Sequence, residues 1–110
     1  MIEDTIAKIQ AQLEASPNLR PERRQELLKL ITELKREIAG LSKDNPDQAR
    51  SIAGFTELSA HEATRKERQP EAMESAIAGL ESTVRGFEAA HPGLTAVVNR
   101  IAHALSNLGI

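Results

Sequence analysis

The chain has 110 residues, no cysteine, Tyr or Trp, and a net charge of −2 built from 14 basic and 16 acidic side chains. That composition excludes a disulfide framework, a thiolate metal site and an aromatic platform for stacking bases. Charge is mixed evenly along the chain, with nine acids and nine bases in residues 1–55 and seven against five in 56–110, so no segment carries the basic excess that drives nucleic-acid binding.

Met1 runs directly into Ile2, Glu3 and Asp4, without a basic leader or apolar run, and no later stretch has the apolar length of a membrane span. The chain therefore reads as one cytoplasmic domain over residues 1–110, with no membrane partner. Proline then divides it. Proline suits the first position of a helix, where its missing N–H has no partner to lose, and it drives the preceding residue out of the α region. Applied to Pro17, Pro21, Pro46, Pro70 and Pro92, the rule gives helical segments at about 2–15, 21–42, 46–67, 70–90 and 92–108.

The first segment carries Ile2, Ile6, Ile9 and Leu13 at helical spacing, and Ser16-Pro17-Asn18-Leu19-Arg20 forms a short connector. The second carries Leu27, Ile31, Leu34, Ile38 and Leu41, widened by Leu28 and Leu30. The third opens with Asn45-Pro46-Asp47-Gln48, a cap residue followed by Pro and by Gln at the capping-box position. Its seam is made of small residues, Ala49, Ala53, Thr56, Ala60 and Ala63, with Ile52, Phe55 and Leu58 to one side. The fourth carries Met73, Ile77, Leu80, Val84 and Phe87, and the fifth Leu94, Val98, Ile101, Leu105 and Leu108. This seam stays in phase through His91 and Pro92, so segments four and five are either two helices or one rod kinked at Pro92. Gly109 after Leu105 is placed for a Schellman stop that joins Leu105 to Ile110. The fold class is all-α: five proline-delimited helices in a bundle.

No reaction is legible. The serines lack a strand-to-helix elbow, the six glycines are isolated, and Glu62/Lys66 and Glu81/Arg85 are spaced as ordinary helix-face ion pairs. A metal-dependent alternative would use His61, Glu57, Glu88 and His91, but only one Glu-x-x-His pair occurs, and its His precedes a proline. Arg20, Arg23 and Arg24 are a third candidate, for anionic surfaces. The expectation is a non-enzymatic protein without cofactor that docks a protein partner or itself as a homo-oligomer. The residues for that contact are part of the second helix's stripe (Leu27, Ile31, Leu34, Ile38) or the small face of the third (Ala53, Ala60).

Three stretches carry a resemblance: Leu58-Ser59-Ala60-His61-Glu62-Ala63-Thr64-Arg65, then Gly86-Phe87-Glu88-Ala89-Ala90-His91-Pro92-Gly93-Leu94, and the closing Ala104-Leu105-Ser106-Asn107-Leu108-Gly109-Ile110. Together they resemble a family of small bacterial proteins catalogued only as a domain of unknown function. The resemblance implies a bacterial origin and a compact helical protein. It assigns no activity and so transfers no site residue.

Overall fold

The computed structural model describes residues 2–108, and over them the chain forms five helices: α1 (Ile2–Ala15), α2 (Pro21–Asp44), α3 (Pro46–Thr64), α4 (Pro70–Ser82) and α5 (Pro92–Leu108). Four of the five begin on a proline, as the missing N–H dictates. Asn45 caps α3, its Oδ1 accepting from the Gln48 backbone N–H at 3.1 Å. The reciprocal half of the expected capping box is absent, because the Gln48 amide donates instead to the Thr83 carbonyl and joins the start of α3 to the end of α4. The proposed Schellman contact between Leu105 and Ile110 lies outside the described residues.

The boundaries differ from the proline reading at three places. Helix α2 runs two residues further, to Asp44, and α3 stops at Thr64 rather than 67. Helix α4 stops at Ser82 rather than 90. There the Thr83 hydroxyl donates to the Leu80 carbonyl at 2.6 Å, and a series of tight turns follows through Val84, Arg85 and Phe87. Gly86 adopts φ +88°, a conformation that turns the chain, and its N–H is held by the Glu88 carboxylate at 2.9 Å. Consequently the rod kinked at Pro92 does not form. A rod over 70–108 would reach roughly 58 Å, whereas the longest dimension of the molecule is 37 Å. Helix α5 starts afresh at Pro92 and packs back against α4. The apolar phase had misled for a simple reason: Val84 is buried and Phe87 half-buried, so the seam reports burial in a stretch that is no longer helix. The ends of α3 and α4 also remove the expected Glu62/Lys66 and Glu81/Arg85 helix pairs, since Lys66 and Arg85 lie beyond them; Glu62 instead meets Arg65 at 3.1 Å.

Helix α3 is the hub. It packs against all four others, while α1, α2, α5 and α4 form an arc around it in which each touches the next. The arc is open at one side, because α1 and α4 do not meet. Small residues on α3 make this possible: Ala49, Ala53, Ala60 and Ala63 are buried and admit close neighbours. Ile52 anchors the same face, and Thr56 is buried with its hydroxyl returned to the Ile52 carbonyl at 2.7 Å. The remaining core comes from the aliphatic stripes of α1, α2 and α5, with Leu80 from α4.

The connector between α1 and α2 is held from one side chain. Arg24 donates to the carbonyls of Leu13 (3.2 Å), Ser16 (2.7 Å) and Leu19 (3.2 Å). Helix α1 has no basic residue in its own last turn, so Arg24 from α2 supplies the cation that its C-terminal carbonyls favour.

Candidate interaction surface

The gap between α1 and α4 exposes one face of α3. Along it Asp47, Ser51, Gly54, Leu58 and His61, with Arg65 just past the helix end, recur at alternating steps of four and three, the spacing of a helix seam on the side opposite the alanines. Leu58 is 44% exposed and Phe55, beside it, 37%; they are the exposed large hydrophobics of the described chain. The Phe55 ring lies over Gly79 of α4, so close that a Cβ there would strike it. Ala72, Ser75 and Ser82, on the same side of α4 as Gly79, are exposed and short. On the other flank, Lys8 and Gln12 of α1 join Gly54, Glu57, Leu58 and His61 around a shallow depression of about 410 Å³. Gln12 Nε2 lies 3.4 Å from His61 Nδ1 and sets the near edge. A helix that packs against all four others thus shows solvent a strip that is polar at both ends and apolar at Leu58, with Phe55 beside it.

The residues expected to meet a partner lie elsewhere. Leu27, Ile31, Leu34, Ile38, Ala53 and Ala60 are each 1% exposed or less. The α2 stripe is consumed by α1, α3 and α5, and the alanine face of α3 by its own neighbours, so neither is reachable without opening the bundle. Phe55 and Leu58 were legible as flanking residues of α3. The signal for them was the second seam, which becomes visible once the alanine seam is taken as core.

The metal alternative does not assemble. His61 faces Gln12 and the Glu62 carboxylate, Glu88 binds the Gly86 N–H, and His91 lies 3.8 Å from Asp44. Among the described residues no three His, Asp or Glu side chains are grouped to hold an ion. Of the three arginines considered for anionic surfaces, Arg24 is committed to backbone carbonyls, and Arg23 pairs with Glu26 at 3.5 Å. Arg20 and Arg23 line a depression of about 490 Å³ together with Arg68, which donates to the Leu108 carbonyl. Among the described residues no helix is long and apolar enough to cross a membrane.

A family model described as Domain of unknown function (DUF4404) matches residues 56–110, half of the chain. The chain belongs to this family. The matched half of this DUF4404 member contains all three stretches that carried the resemblance, and it runs from the middle of α3 through α4 and α5. It includes Leu58, His61 and Arg65 of the exposed strip and leaves Asp47, Ser51 and Gly54 outside the match. Neither the curated proteins nor the solved structures compared with the chain gave a match.

Proposed function

We propose that this protein is a non-catalytic docking module whose contact surface is the face of α3 between α1 and α4. The observation that carries this reading is the exposure of Phe55 and Leu58 on the helix that packs against all four others. Phe55 and Leu58 keep 37% and 44% of their surface in water, so a partner that covered them would gain part of the roughly 1.5–3 kcal/mol that full burial of such a side chain contributes. The surroundings favour contact over chemistry: among the described residues no histidine is grouped with two further metal-ligating side chains, and the groove beside Leu58 is too shallow to enclose a small molecule.

The test is in-cell photocrosslinking with a benzophenone amino acid at position 58, and a control at Glu22, which is exposed on α2. A discrete covalent adduct is expected from position 58 and none from position 22. Absence of any adduct at position 58 overturns the docking reading.

A further inference from the structure

Resting on that reading, we propose that the partner of the α3 face is a second copy of this chain, packed with its α3 antiparallel about a twofold axis between Gly54 and Leu58.

The argument begins with spacing. The exposed strip reads Asp47, Ser51, Gly54, Leu58, His61, Arg65, and its steps are the same from either end. An antiparallel copy in register therefore sets Gly54 against Leu58, Ser51 against His61 and Asp47 against Arg65, each pair occurring twice. This is the self-complementarity that an isologous interface demands. Shape agrees with it: a Cβ built on Gly54 meets nothing within 4 Å, so there is an open notch opposite the exposed Leu58. Two such notches and knobs interlock across the axis as in knobs-into-holes packing.

Charge agrees as well. The acid lies at the N-terminal end of the strip and the base at its C-terminal end, so only the antiparallel arrangement brings opposite charges together. Both already have weak or local company: Asp47 is 3.9 Å from Arg50 and almost fully exposed, and Arg65 is 3.1 Å from Glu62. The twofold would join these into four-charge clusters at each end. A parallel copy would instead set Asp47 against Asp47 and Arg65 against Arg65.

The rim permits approach. On the α4 side it consists of Ala72, Ser75, Gly79 and Ser82, with the Phe55 ring lying over Gly79 between the two strips. A 19-residue helix is roughly 28 Å long. Two helix widths of such a strip bury on the order of 1,000 Å² across both copies, the lower end of specific interfaces.

The chain has no cysteine, so single thiols report the register directly. S51C and H61C are prepared separately and mixed under mild oxidation. The expected result is a disulfide-linked heterodimer in the mixture, at least about tenfold above that from either variant alone, because only unlike positions face each other. The reverse pattern, with each variant linking to itself, overturns the register. Sedimentation equilibrium on the unmodified protein is expected to show dimers, and a monomer up to about 1 mM overturns the proposal. G54L fills the notch and is expected to raise Kd at least about tenfold while the dilute monomer melts no lower than the parent, since leucine favours helix over glycine. An unchanged Kd for G54L overturns the proposal even if L58D, the more drastic variant, fails to fold. A photocrosslinked adduct at position 58 of a mass other than two chains overturns self-pairing but leaves the docking reading intact.

Discussion

Replacing Arg24 with alanine removes one side chain from the surface of α2; the Leu13 and Leu19 carbonyls lose its hydrogen bonds, and the Ser16 carbonyl keeps only the long 3.4 Å bond from the Leu19 N–H. Ser16 and Leu19 are buried, so water replaces the guanidinium poorly. A hydrogen bond from a charged donor contributes about 1.5–3 kcal/mol when well enclosed, but Arg24 is half-buried and its three bonds act as one unit, so their contributions do not add. The loss expected for R24A is about 2–3 kcal/mol, or a fall of roughly 8–12 °C in Tm for a domain of this size. Urea unfolding followed by circular dichroism at the helical band measures it, with an unchanged slope showing that the unfolded reference is the same. R24K separates charge from geometry: an ammonium keeps the cation near the α1 C-terminus but cannot span three carbonyls, and it should recover less than half of the loss. An R24A midpoint within about 0.5 kcal/mol of the parent would refute the reasoning, and full recovery in R24K would show that the charge alone matters.

Two further predictions concern single atoms. The Ser59 hydroxyl is buried with no hydrogen-bond partner, so S59A should raise stability by about 0.5–1 kcal/mol in the same urea assay. A loss of comparable size would show that the hydroxyl is bonded. The Gly→Ala change should have opposite signs at two sites: G86A, at φ +88°, should lower stability by about 1–2 kcal/mol, whereas G40A, within α2 and with open space around its Cβ, should raise it by about 0.5–1 kcal/mol. Equal signs from thermal melts of the two variants would contradict the backbone assignment at Gly86.

Much of this fold was readable from proline and apolar spacing because both act locally. Pro21, Pro46, Pro70 and Pro92 begin helices through their own ring geometry, whatever packs nearby. Helix ends were harder. The end of α4 depends on Thr83, Gly86 and Glu88 trapping backbone groups together, and none of the three is a strong stop signal alone. A candidate contact surface was harder still to read, since a stripe such as Leu27–Ile38 looks the same whether another helix of the chain or a separate molecule covers it. Only the arrangement of all five helices shows that the apolar stripe of α2 is covered by its neighbours while Phe55 and Leu58 of α3 are not. Arg24 illustrates the same limit: in sequence it is one of a basic cluster, and in space it is the tie of a connector.

The central position of α3 also bears on what is inherited as a unit. Family likeness begins at Thr56, yet that residue lies in the middle of the helix on which all the others converge. A fragment cut at that point would keep Ala60 and Ala63 but lose Ala49, Ile52 and Ala53, and with them the wall against which the later helices close. The stretch that the family model matches is therefore shorter than the stretch that buries its own core.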